Sequence, residues 1–138
     1  MRPLLRTLPL LLAAALAGCG QAPSSTGDFK GAEKAVAQTV EQLQTDAQAR
    51  KPEKICSDVL ARALVAKLKS TGTDCVDEMD KVSGDADDYE LEVTDVTITG
   101  TTATARVKAR RGGNKNALTT FALVKEDGKW RLTNLGSS

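Results

Sequence analysis

The sequence predicts an α+β domain: about three helices packed on one face of a four-stranded antiparallel sheet. Three observations carry this. Apolar residues recur at steps of three and four from about Asp28 to Val82. From Tyr89 onward the step changes to two. Two short turn signals, Gly100-Thr101 and Asp127-Gly128, then fold the second half into hairpins. A run of helices followed by a run of strands is the pattern of a segregated α+β architecture.

The first helix is expected from Asp28 to about Arg50. Phe29, Ala32, Val36, Val40, Leu43 and Ala47 form one apolar stripe, with Lys30, Glu33, Lys34, Glu41, Gln42 and Gln48 off it. Asp28 suits the N-cap. Pro52 ends this helix and opens the next, because the first turn has no use for the missing N–H. Ile55, Cys56, Val59, Leu60, Ala63, Leu64 and Leu68 give the second helix an apolar face that runs to a stop at Gly72. Asp74 is placed to cap a short third helix, with Cys75, Met79 and Val82 inward.

In the strand half, Tyr89, Leu91 and Val93 alternate, and Val96 and Ile98 alternate in the opposite phase. One bulge at Thr94-Asp95 reconciles the two phases. With a turn at Gly100-Thr101, Ile98 then faces Ala103, Val96 faces Ala105, Val93 faces Val107 and Leu91 faces Ala109. The same register sets Glu92 beside Lys108, Glu90 beside Arg110 and Asp95 near Arg106. Arg106, Lys108 and Arg110 therefore read as a salt-bridged solvent face rather than a nucleic-acid stripe. Arg111, Gly112, Gly113 and Lys115 form a basic loop. The turn at Asp127-Gly128 sets Lys125 beside Trp130, Leu123 beside Leu132 and Phe121 beside Asn134. Trp130 and Phe121 are the expected anchors of the core between sheet and helices.

The N-terminus carries a different message. Arg2 and Arg6 precede an apolar run from Leu8 to Ala17 broken only by Pro9, the pattern of an export signal, and too short for a membrane span. It ends in Leu16-Ala17-Gly18-Cys19, which resembles the lipobox of bacterial lipoproteins. The resemblance implies cleavage before Cys19, a diacylglycerol on its sulfur and a further acyl chain such as palmitate on the new amino group. Two or more chains give stable anchoring at roughly 0.8 kcal/mol per buried methylene. The expected organisation is a signal peptide over 1–18, lipidated Cys19 with a flexible tether over 19–27, and one domain over 28–138. The expected location is the cell membrane, lipid-anchored and extracytoplasmic, with the membrane itself as partner.

Loss of Arg2 and Arg6 from the 19 basic residues leaves 17 against 18 acidic ones. That balance argues against a nucleic-acid partner. With Cys19 consumed by lipid, Cys56 and Cys75 remain, and an oxidising compartment is expected to pair them. A redox-active pair would prefer Cys-x-x-Cys spacing near a helix start, so a structural disulfide between the second and third helices is the favoured reading. The chain has no histidine. Zinc sites of the common types, histidine proton shuttles and serine–histidine triads are excluded, and no cofactor or metal is expected.

The long first helix, the Pro-Glu-x-Ile-Cys start of the second and the ending Asp-Gly-Lys-Trp-Arg-Leu are similar to the nuclear-transport-factor-2-like (cystatin-like α+β) superfamily, over residues 28 to 135. This resemblance implies a bent, cone-like sheet curled around the helices to leave a cavity, for which a bulge in a long strand supplies the bend. Enzymes of the superfamily depend on pocket Asp, His and Tyr groups. Here Tyr89 is the sole tyrosine, and no pair among Asp46, Asp58, Asp77 and Glu78 has an enforced inward spacing, so no catalytic residue carries over. The expected function is a non-catalytic domain that binds a small apolar ligand or an envelope partner protein, with Phe29, Val36, Tyr89, Phe121 and Trp130 around the pocket. The alternatives are an interaction module without ligand, and a histidine-free isomerase or dehydratase that would need an inward carboxylate beside Tyr89.

Overall fold

A computed structural model of the chain describes residues 25–112 and 116–136. The expected signal peptide, Cys19 and most of the tether lie outside the described residues, as do Gly113 and Lys115 of the basic loop.

Helix α1 spans Gly31–Gln48 and buries Val36, Ala37, Val40, Leu43 and Ala47. Ala32, expected on the stripe, is exposed in the first turn, before the helix reaches the sheet. Asp28 is not the N-cap. That position is Lys30, without a side-chain bond, and Asp28 instead closes a 3-10 turn over Ser25–Asp28. Thr26 N donates to Glu41 Oε1 at 3.0 Å, so the last residues assigned to the tether are tied onto α1.

The second expected helix is three pieces. Pro52 starts a single turn, α2, over Pro52–Lys54, and a π turn follows over Ile55–Val59. Leu60 and Ala61 are then extended, and α3 runs from Arg62 to Ser70. The break has a tertiary cause. Leu60 forms a parallel bridge with Leu132, and Ala61 N donates to Leu132 O at 2.8 Å. Leu60 and Ala61 are fully buried there, and that burial outweighs continued helix. In consequence α3 lies at the margin of the core: Leu64, Val65 and Leu68 pack against it half-buried, no side chain is fully buried, and Ala63 is exposed.

Helix α4 spans Cys75–Ser83, capped by Asp74, whose carboxylate accepts from Val76 N and Asp77 N. Cys75 and Met79 point inward as expected. Val82 does not: it is 46% exposed, because the buried face of α4 runs through Cys75, Met79 and Ser83 and Val82 lies beside it. The Cys56–Cys75 disulfide is formed, with 6.2 Å between the Cα atoms, and joins the π turn to the first residue of α4.

The sheet is a meander in the order β1-β2-β3-β4, with β1 Tyr89–Thr99, β2 Thr102–Arg111, β3 Ala117–Glu126 and β4 Lys129–Leu132. The β1–β2 register is the expected one at every pair, with the shift between Val93 and Asp95. Within it the ion pair between Glu92 and Arg110, at 3.5 Å, is diagonal. The second turn puts Asp127 and Gly128 at φ 50° and 78°, the left-handed pair that a two-residue hairpin demands. The β3–β4 ladder stops at Leu132 and does not reach the expected Phe121–Asn134 pair. Thr133 N bonds Ala122 O, and the Asn134 side chain accepts from Ala122 N at 2.9 Å, so a side chain replaces the last rung. The core lies between α1, Ile55, Val59 and Met79 on one side and Val93, Val96, Ala105, Val107, Leu123 and Leu132 on the other.

Candidate functional site

At one end of this core the layers do not close. The last two turns of α1 contribute Leu43, Gln44 and Ala47, and the end of α4 with its following loop contributes Lys81, Val82, Asp85 and Ala86. The start of β1 adds Tyr89 and Leu91, β3 adds Phe121, and Leu135 comes from the C-terminal segment. Together they bound an open cavity of about 340 Å³. Its walls are predominantly apolar, with Gln44 as a polar wall group and the exposed charges of Lys81 and Asp85 at its edge, the usual arrangement of a small-molecule site.

Several local features keep the cavity open and its backbone satisfied. β1 is an edge strand, and its first residues would otherwise present bare peptide groups to the cavity. Gln44 Oε1 accepts from Leu91 N at 2.6 Å, and Gln48 Nε2 donates to Tyr89 O at 3.4 Å. Two glutamines of α1 thus replace a fifth strand. On the far side Gly136 adopts φ +95°, and a Cβ there would meet Thr119 Oγ1 at 2.6 Å. Glycine lets the tail lie on β3 and swing Leu135 over the mouth, where it is 38% exposed. Val82 is the other exposed apolar side chain of the rim.

The mouth is charged. Asp85 pairs with Arg111 at 3.3 Å, and the Arg111 guanidinium lies 5.3 Å from the centre of the Tyr89 ring. Lys81 lies 3.7 Å from Glu78, which is not part of the lining. Asp46 is 2% exposed and accepts from Gln42 Nε2 at 2.7 Å, but it too is outside the lining. Asp58 and Asp77 are exposed. The carboxylate that shares the cavity with Tyr89 is Asp85, solvent-exposed and engaged by Arg111. Among the described residues no group of three His, Cys, Asp or Glu side chains is placed to hold a metal ion.

Of the five residues expected around a pocket, Tyr89 and Phe121 line this cavity together. The other three do not. Val36 is fully buried in the core, Phe29 packs half-buried against that core, and Trp130 is buried where β4 meets α1. Phe29, Val36 and Trp130 follow the apolar pattern faithfully, but that pattern marks core and cavity wall alike. Gln44, Leu91 and Leu135 were not singled out as pocket residues. Leu91 carried a signal, its inward phase near the start of β1; Gln44 and Leu135 carried none.

Residues 58–135 match the family described as low molecular weight antigen MTB12, C-terminal domain. The chain belongs to this family. The matched span covers more than half of the sequence and contains every cavity residue from Lys81 to Leu135, while the α1 wall precedes it. No curated protein sequence matches the chain. Two solved structures are similar in outline. One is an NTF2-like protein of unknown function from Shewanella baltica OS155, 16% identical, covering 71% of this chain and 85% of its own, with a TM-score of 0.49. The other is a putative NTF2-like transpeptidase from Campylobacter jejuni, 19% identical, covering 69% and 94%, with a TM-score of 0.46. Likeness at that level says nothing about what an MTB12-type domain binds or does. Among the described residues no helix is long and apolar enough to cross a membrane.

Proposed function

We propose that this chain is a lipid-anchored, extracytoplasmic, non-catalytic domain that takes a small apolar ligand into the cavity between α1, α4 and the start of β1. The observation that carries the reading is the cavity itself: an open, predominantly apolar hollow whose rim exposes Val82 and Leu135 beside the charged Lys81 and Asp85. Exposed apolar side chains around an apolar hollow are the usual mark of a binding surface. The anchor is supported by the Arg2–Ala17 leader and the Leu16-Ala17-Gly18-Cys19 motif, and the oxidised Cys56–Cys75 pair suits a compartment outside the cytoplasm.

Each half has its own test. With the anchor in place, the full chain should fractionate with membranes and Cys19→Ala should not; an unchanged distribution would refute the anchor. For the ligand, residues 20–138 are exported to an oxidising compartment, purified without detergent and weighed under native conditions after exposure to a panel of apolar probes. A noncovalent adduct is expected, weakened about fivefold or more in Val82→Glu, which sets a charge against the ligand at an exposed position. An adduct that Val82→Glu leaves untouched places the ligand elsewhere. A bare mass with every probe would refute the ligand half of the proposal.

A further inference from the structure

We propose that the ligand is a single-chain fatty acid, with its alkyl chain in the cavity and its carboxylate at the mouth beside Lys81. The inference rests on the reading of the cavity as a binding site and adds the head group and the number of chains.

The number of chains follows from size. About 340 Å³ lies at the small end of pockets that enclose whole ligands, which run from about 300 to 1,000 Å³. A two-chain lipid would leave most of its apolar surface in water. The walls are mostly apolar, and the oxygen of the polar wall group Gln44 already accepts from Leu91 N.

The head group follows from how the charges at the mouth are spent. Asp85 is held by Arg111, and Arg111 is held against the Tyr89 ring. These two charges compensate each other. Lys81 is different. It lines the cavity, it is well exposed, and its neighbour Glu78 stands 3.7 Å off, outside the lining. Exposed lysine–glutamate pairs at three-residue spacing are weak and easily exchanged. A carboxylate entering above an apolar chain would therefore find the Lys81 ammonium available. A cationic head would meet Lys81 directly and could be met only by Asp85, which already has its partner. A neutral head could accept a hydrogen bond from Lys81 but would bring no opposite charge to pair with it.

The test uses the full chain in membranes of the cells that express it. Two photoreactive probes are compared, a diazirine-bearing dodecanoic acid and the matching dodecanol, and labelled peptides are mapped. Because the two probes partition differently into lipid, the quantity read is the ratio of acid to alcohol labelling on cavity peptides, in the parent chain and in Lys81→Gln. Both probes are expected to label peptides containing Leu91, Phe121 or Leu135, and Lys81→Gln is expected to lower the ratio about fivefold. An unchanged urea midpoint and an intact disulfide in Lys81→Gln exclude unfolding as the cause. Cavity labelling by both probes with an unaltered ratio overturns the fatty-acid assignment and leaves an apolar ligand standing. Absence of cavity labelling by either probe overturns both readings.

Discussion

Replacing Trp130 by alanine is expected to cost about 4 kcal/mol of folding stability. The indole is the largest side chain of the domain and is buried where β4 meets α1. Its backbone oxygen accepts from Thr39 Oγ1 at 3.1 Å, and Lys125 on the neighbouring strand lies 5.9 Å from its ring centre. Truncation removes the buried area and leaves a void that β4, with only four residues, can collapse into only by leaving β3. Small domains hold about 5 to 15 kcal/mol in total, so one substitution would consume a large part of it. Urea denaturation should show the midpoint falling by roughly 2 M at an m of about 2 kcal/mol/M. Trp130→Phe keeps a ring in place and should lose less than half as much. A fall of under about 0.5 M for the alanine variant would mean that the indole does not bear on the fold as its burial implies.

Loss of the Cys56–Cys75 bond is expected to cost about 3 kcal/mol, the value for a loop of this length on the chain-entropy model. The effect should also be uneven. The closed loop contains α3, which has no fully buried side chain. That helix is held at its start by the Ala61–Leu132 bond and beyond its end by the disulfide through α4. In Cys56→Ser/Cys75→Ser, amide exchange over residues 62–70 should therefore accelerate before exchange in β2 and β3, which keep all their ladder partners. Equal acceleration across helix and sheet would show instead that the bond acts only on the unfolded chain.

The parts of the fold that can be read from sequence are those fixed by more than one local constraint. The β1–β2 hairpin is the clearest. Alternation, the glycine of the turn and the charge pairs each demand the same register, and a one-residue slip would violate all three. Asp74 is similar, since a cap, a following apolar period and a preceding glycine agree. The second helical segment is legible only in its apolar content. Leu60 fits a helix face as well as it fits an extended rung against Leu132, and only a partner far along the chain decides between them. The same holds for Val82, whose place on the period says inward although the buried face of α4 passes through Met79 and Ser83 instead. Asp28 lost its expected cap because the chain enters α1 through a 3-10 turn held by Glu41. The cavity was the least legible feature. Its existence depends on where α1 and α4 part from the sheet, and apolar positions look alike whether they face a neighbour or a hollow.

The contact between Leu60 and Leu132 also fixes an order of events. The helical segment can settle beside the sheet only when the chain's last strand is present to receive it, so the first half must wait for nearly the final residues to be made. Long-range closures of this kind slow folding. A chain that stays open until its C-terminus emerges remains threadable throughout its synthesis, which would suit the export proposed for it.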